Sequence, residues 1–250
     1  MPKFGLVGFP LKNTFSKDFF TAKFSTLGLN DFSYENFSIE NIDQITNVLK
    51  SNPDIGGFNV TIPYKESILN FLDEIDESAK IIGAVNCVKV NSQSKLIGFN
   101  SDAFGFEKTI IPIIKDGHQK ALILGTGGVA KAVAYVLKNL HIDFKFVSRK
   151  LSLQSSTIQF QNLNSEIITS STLIINCTPV GMFPNPNEFP NIPFQFISSK
   201  HFCYDLIYLP EKTLFLEKCE TQGASIKSGL EMLHLQAEKS WEIWNSKFEF

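Results

Sequence analysis

Residues able to do chemistry gather in two stretches of this chain. The first is Asn59-Val60-Thr61-Ile62-Pro63-Tyr64-Lys65-Glu66, followed by Asn86 and by Asn100-Ser101-Asp102, at spacings that no packing requirement explains. A lysine can pass a proton to and from a substrate oxygen while an aspartate holds its charge state and orientation, so Lys65 and Asp102 are the candidate catalytic pair. Singly, such residues are as a rule solvated surface charges; the combination reads as an active site. The second stretch, Gly125-Thr126-Gly127-Gly128-Val129-Ala130, follows the apolar run 121–124 and opens a helical pattern that reaches about residue 140, with another apolar strand over 144–147. In that context the glycines let the backbone turn tightly and approach a pyrophosphate, whose charge then faces the helix N-terminus and its free N–H groups.

The end of that next strand bears on which dinucleotide is expected. Roughly 20 residues past such a loop, NAD enzymes place a carboxylate for the ribose 2′-hydroxyl, whereas this chain has Ser148-Arg149-Lys150. Two cations and a hydroxyl suit a 2′-phosphate, so NADP is expected; the competing reading is an exposed basic turn after a strand.

The elements that must position these residues are legible from hydrophobic period. The runs 4–7, 32–37, 55–60, 87–90 and 96–99 read as strands, with helical spacing around Phe19, Phe20, Phe24 and Leu27 and over 42–49 and 104–111. Strand 55–60 is expected to end at Thr61, with Pro63 starting a helix from whose first turn Lys65 projects. Beyond residue 120, further strands are expected over 172–176, 202–206 and 224–226, a helix over 211–222, and a last helix from Gly229 carrying Leu230, Leu233, Ala237, Trp241 and Trp244. The stretch 183–193, rich in Pro and Asn, reads as a loop inside the second lobe. This predicts an α/β protein of two lobes, a size that 250 residues can fill without disulfides or metals.

Composition narrows the partners. A net charge of −2 provides no basic face for nucleic acid or an anionic membrane, which leaves a small molecule. Cys87, Cys177, Cys203 and Cys219 are scattered, without the close pairs of zinc or redox motifs, so buried free thiols and no metal are expected. The N-terminus turns polar by Lys12 and Asn13, too soon for a signal peptide, and no apolar run reaches membrane-spanning length, which points to the cytoplasm. The 24 phenylalanines fall mostly at strand or helix spacing and read as core.

Taken in order, Asn59 to Glu66, Gly83-Ala84-Val85-Asn86, Asn100-Ser101-Asp102, Gly125-Thr126-Gly127-Gly128, Asn176-Cys177-Thr178-Pro179-Val180-Gly181-Met182, Tyr204-Asp205-Leu206-Ile207-Tyr208 and Gly229-Leu230-Glu231-Met232-Leu233 make a chain that resembles the shikimate dehydrogenase family over nearly its whole length. The resemblance implies NADPH-dependent reduction of 3-dehydroshikimate to shikimate on the route to aromatic amino acids. It also implies an N-terminal α/β substrate lobe, a Rossmann-type nucleotide lobe, and a C-terminal helix that returns to the first lobe, with the site in the cleft between. The expected domains are 1–102 plus 229–250 for substrate and catalysis, and 103–228 for NADP.

By the same resemblance Lys65 and Asp102 are catalytic, and Thr14, Ser16, Thr61, Asn86, Tyr208 and Gln236 meet the substrate's hydroxyls and carboxylate. Gly125, Thr126, Gly127, Gly128, Val129, Ser148, Arg149 and Lys150 hold the nucleotide, and Glu77, Thr178, Leu206 and Gly229 lie near it. The residue types suit these roles: a carboxylate takes hydroxyl and amide donors, and a ketone becoming an alkoxide takes an ammonium. The chain departs from the family pattern at Thr14-Phe15-Ser16-Lys17, where two serines and a proline are usual, at Ser101 and Ala103 around Asp102, and at Ser148 and Lys150 around Arg149. Thr14 and Ser16 also suit capping of the helix that follows, and Gln236 suits an exposed helix face. Two other functions stay open: a quinate/shikimate dehydrogenase, and a nucleotide-binding protein without catalysis. Either a monomer or a homodimer is compatible with the sequence.

Overall fold

The computed structural model describes residues 2–12, 14–115, 117–149 and 157–246. The chain divides into two compact units, residues 1–101 with 237–250 and residues 102–236, each built on its own six-stranded sheet.

The first unit runs β1 (Lys3–Gly8), α1 (Phe15–Thr26), β2 (Ser33–Ser38), a 3-10 turn running into α2 (Ile45–Ser51), β3 (Ile55–Val60), a 3-10 helix over Ser67–Phe71, β4 (Glu74–Ile75), α3 (Glu77–Ile82), β5 (Cys87–Val90) and β6 (Leu96–Phe99). The strand order is β2-β1-β3-β5-β6-β4, parallel from β2 to β3 and antiparallel from β3 through β5 to β6. Alternation along the strands feeds two clusters. Val7, Phe58, Val60 and Val88 join one with Ile68 and Val85, while Phe4 and Leu6 join the other with Phe20, Phe24, Tyr34 and Trp244. That second cluster is largely aromatic. Trp244 stacks on Phe4 with centroids 4.7 Å apart, and its indole Nε1 donates to Val88 O at 2.9 Å, so the chain's last helix is held by both ring contact and a buried hydrogen bond.

The second unit comprises α4 (Ser101–Ile110), β7 (Lys120–Leu124), α5 (Gly128–Asn139), β8 (Asp143–Ser148), β9 (Thr157–Gln159), α6 (Ser165–Ser170), β10 (Leu173–Asn176), β11 (Phe202–Asp205), α7 (Leu214–Thr221), β12 (Ser225–Ser228) and α8 (Leu230–Asn245), with the division falling after the first residue of α4 and between Gln236 and Ala237 of α8. All strand pairs are parallel, in the order β12-β11-β10-β7-β8-β9. This is the doubly wound order of a dinucleotide-binding sheet, which reverses between β7 and β10. The buried, near-continuous apolar runs of β7 and β10 are what a sheet covered on both faces requires.

Several elements depart from expectation for local reasons. No helix starts at Pro63: Tyr64 N bonds Thr61 O in a turn, the Tyr64 hydroxyl is drawn to Ile39 O at 2.7 Å, and Lys65 O is taken sideways by Val85 N at 2.7 Å. The Ile62 carbonyl, which would open a helix beginning at Pro63, accepts from Phe9 N at 3.1 Å instead, and beyond a single bond from Ile68 N to Tyr64 O the segment forms the 3-10 turn from Ser67. Helix α4 starts at Ser101, three residues before the expected 104, so Asp102 lies in its first turn. Helix α7 starts at Leu214, where Thr213 supplies the cap by accepting from Leu216 N. The short elements β4, α3, β9 and α6 carry too little period to be read from sequence.

Candidate functional site

In the first unit the predicted residues come from four connections. Thr14 is the N-cap of α1: it accepts from Lys17 N at 3.4 Å and donates to Asn36 Oδ1 at 2.9 Å, so its hydroxyl serves local structure. Ser16, one residue into α1, is half-buried. Thr61 follows β3 and bonds Val7 O through its own N–H at 2.9 Å. Lys65 is half-buried in the turn after β3, its backbone fixed by Val85. Glu77 is exposed in the first turn of α3 and is the one nucleotide candidate carried by this unit.

Asn86 is 3% exposed and its amide is held at both ends by one residue: Oδ1 accepts from Ser101 N at 2.7 Å, and Nδ2 donates to Ser101 Oγ at 3.0 Å. Ser101 Oγ also bonds Ser240 Oγ at 3.1 Å. Asn59 Nδ2 donates to Ser240 Oγ at 2.8 Å and to Asn86 O at 3.1 Å, and Asn59 Oδ1 accepts from the Tyr34 hydroxyl at 2.9 Å. Burial pushes the Tyr34 phenol well above its usual value, with the Ser16 hydroxyl acting in the opposite sense, so the phenol remains a neutral donor. Among the described residues no buried side-chain nitrogen or oxygen is without a hydrogen-bond partner.

The second unit carries Asp102, Tyr208 and Gln236. Asp102 is 5% exposed in the first turn of α4, where the helix amides favour a carboxylate. Met232 and Gln236 of α8 pack beside Gly105, one helical turn beyond Asp102. Tyr208 is half-buried, which raises its phenol and keeps it neutral.

Most of the nucleotide candidates share one edge of the second sheet, the C-terminal ends of its strands. Gly125 leaves β7 with φ +109, a conformation open to glycine, and a Cβ there would approach Thr178 Cγ2 to 3.2 Å, so the loop after β7 and the loop after β10 touch at the switch point. Gly127 is the N-cap of α5 and, having no side chain, makes no cap bond to that helix's first-turn amides, which suits an anion there. Thr126 and Gly127 are exposed, with Gly128 and Val129 beginning the helix. Gly229 follows β12 so close to Leu206 that a Cβ would fall 2.2 Å from the Leu206 carbonyl oxygen; the two positions require each other. Ser148 ends β8 and Arg149 is exposed just beyond it, whereas Lys150 lies outside the described residues. This edge fits a phosphorylated dinucleotide, with a helix whose N-cap is a glycine, its close glycines and a cation in place of an acid.

A polar group beneath that edge had no assigned role in the sequence reading. Asn176 Oδ1 accepts from Thr178 N and Oγ1 at 3.0 and 2.6 Å, and its Nδ2 donates to Asp205 Oδ1 at 3.0 Å. Asp205 further accepts from Ile207 N at 3.1 Å and Thr213 Oγ1 at 2.6 Å. Burial lifts this carboxyl to about 6, against the lowering effect of Thr213, Ile207 and Asn176. The available signal was a polar residue at or next to the end of an apolar strand: Asn176 and Asp205 end β10 and β11, and Asn59 is the last residue but one of β3. Among the described residues no group of three or more His, Cys, Asp or Glu is placed to hold a metal, and no helix is long and apolar enough to cross a membrane.

Comparison with known proteins adds kinship to this geometry. The family model described as the shikimate dehydrogenase substrate binding domain matches residues 6–88. A curated relative from Methanococcus maripaludis, named shikimate dehydrogenase (NADP(+)), is 38% identical over 97% of this chain and 91% of its own. The crystal structure of shikimate dehydrogenase 1 from Peptoclostridium difficile superposes with a TM-score of 0.85 at 34% identity, covering 100% of this chain and 94% of that one. Shikimate 5-dehydrogenase from Thermus thermophilus, crystallised with NADP(H) and shikimate, gives a TM-score of 0.84 at 28% identity over 98% and 94% of the two chains.

Proposed function

The chain belongs to the shikimate dehydrogenase family, and from that premise we propose that it is an NADP-dependent oxidoreductase that reversibly reduces 3-dehydroshikimate to shikimate in aromatic amino acid (chorismate) biosynthesis. The observation that carries this reading is the C-terminal edge of the second sheet, where the glycine loop, the α5 amides and Arg149 suit NADP, in a chain whose kinship runs nearly end to end.

NADPH, when bound, supplies the hydride. The Lys65 ammonium gives a proton to the carbonyl oxygen as that oxygen becomes a hydroxyl, and takes it back in the reverse direction. Asp102 is the second catalytic residue on this reading. Ser16, Thr61, Asn86, Tyr208 and Gln236, with Thr14 at the margin, meet the substrate's hydroxyls and carboxylate with donors of matching type. Gly125 to Val129, Ser148, Arg149 and Lys150 hold the nucleotide, with Glu77, Thr178, Leu206 and Gly229 beside it. On this reading residues 1–102 and 229–250 form the substrate and catalytic domain, which the place of Trp241 and Trp244 among the first unit's aromatic rings supports, and 103–228 form the NADP domain. Its partners are small molecules, it works as a monomer or homodimer, and its four free cysteines suit the reducing cytoplasm.

The deciding measurement follows NADPH oxidation on addition of 3-dehydroshikimate, with quinate and NAD⁺ or NADP⁺ run in parallel. Turnover of 3-dehydroshikimate with NADPH is expected, with quinate far slower. Comparable quinate oxidation would move the enzyme to the broader quinate/shikimate class, and turnover of neither would reject catalysis.

A further inference from the structure

Asn86 closes a hydrogen-bonded ring with Ser101, Ser240 and Asn59, and Tyr34 joins that ring through Asn59; Tyr34, Asn59 and Ser240 have no assigned role. Each is at least nine-tenths buried: Tyr34 2%, Asn59 6%, Ser101 0% and Ser240 0% exposed. The bonds fix Asn86 twice, its backbone carbonyl through Asn59 and its side-chain amide through Ser101. They also fix the direction of that amide. Because Oδ1 faces a donor, the Ser101 N–H, the NH₂ must face the Ser101 hydroxyl, and one of its two hydrogens is left to aim at a bound molecule. Ser240 closes the ring by joining the Ser101 hydroxyl, 139 residues away in sequence, to Asn59, 181 residues away.

Resting on the reading of Asn86 as a substrate contact, we infer that Ser240 and Ser101 are positioning residues: they hold the Asn86 amide in the one orientation that presents a donor to the substrate's hydroxyls, and they tie that orientation to the residue preceding Asp102. Neither touches the substrate. Their loss is therefore felt as substrate misplacement and not as loss of the nucleotide, whose candidates lie mostly on the other sheet. Misplacement of a reacting group by about 1 Å can cost about a hundredfold in rate, and a buried amide left without its partner turns toward whatever acceptor remains.

The test uses the full chain with Ser240→Ala, Ser101→Ala, Ser101→Thr, Tyr34→Phe and the Ser101→Ala/Ser240→Ala double variant, measuring kcat/KM for shikimate and KM for NADP⁺ separately. Ser240→Ala and Ser101→Ala are expected to lower kcat/KM for shikimate about ten- to a hundredfold with KM for NADP⁺ within about twofold. Ser101→Thr, which keeps the hydroxyl, restores activity, and the double variant loses little more than either single one. Tyr34→Phe, which deletes one oxygen and keeps the ring, shows the same split to a smaller degree and serves should an alanine variant fail to fold. Wild-type shikimate kinetics in Ser240→Ala, parallel losses for both substrates, or no rescue by threonine overturns this inference alone. A wild-type enzyme that does not oxidise shikimate overturns the functional reading, and this inference with it.

Discussion

The two sheets solve the placement of functional residues in opposite ways. In the second, topology suffices: parallel strands in register, Asn176 beside Asp205 and Asp205 beside Ser228, end on one line, so the loops carrying Gly125, Thr178, Leu206 and Gly229 emerge side by side. In the first, strand direction alternates beyond β3, and the predicted substrate residues leave the sheet from a helix N-terminus, a turn and a strand approach. Nothing in such a mixed sheet aligns them, and buried polar side chains do the aligning instead. A site placed by strand ends tolerates change in its neighbours; one placed by side chains does not.

Removing chemistry without disturbing either scheme has the largest expected effect. Lys65→Ala should lower turnover by about 10²–10⁴-fold, the usual contribution of a general acid–base group, while NADPH affinity measured by fluorescence titration stays near wild type. Turnover at the wild-type level would remove Lys65 from the mechanism. The comparison is broken at its structural base by Trp244→Ala, which empties a slot between Phe4 and Phe20 and removes the indole's hydrogen bond to Val88 O. A loss of about 3–5 kcal/mol is expected by denaturant titration, and shikimate binding should fail before nucleotide binding does.

The second sheet's polar anchor can be isolated by pH. The Asp205 carboxyl sits at about 6 in the folded chain, above its ordinary value of 3.8. The native state therefore binds more protons than the unfolded chain between those values, and its contribution to stability falls as pH rises through that window. Wild type should lose up to about 3 kcal/mol relative to Asp205→Asn between pH 3.8 and 6, the full penalty being present above that range. Parallel stability curves for the two proteins would mean that the buried carboxyl does not titrate as its surroundings require. Smallest is Arg149→Ala, exposed at the end of β8, expected to weaken NADPH about tenfold, the equivalent of one charge-assisted hydrogen bond, and to leave NADH nearly unchanged. Equal losses for both cofactors would make Arg149 a general anchor without a role in choosing between them.

The same contrast explains what could be read from sequence. The strand, glycine loop and helix from Lys120 to Asn139 were legible because local pattern and function coincide there, and the strands Ile55–Val60, Cys87–Val90 and Leu96–Phe99 were bounded to the residue by their apolar runs. The turn carrying Lys65 was misjudged because Pro63 allows a helix that long-range bonds from Val85 to Lys65 O and from Tyr64 to Ile39 O forbid. Ser240 was invisible for a related reason. A serine on an amphipathic helix gives no sign that its partners lie at positions 59 and 101, since only the folded chain brings them within reach.

The chain's two tryptophans, Trp241 and Trp244, both belong to the aromatic cluster of the first unit. Indole emission is therefore a private signal of that unit: an unfolding curve read by fluorescence follows its core, whereas far-ultraviolet dichroism sums the helices and strands of both. Coincidence of the two curves would mean that the units melt together, and separation would resolve them without any introduced label.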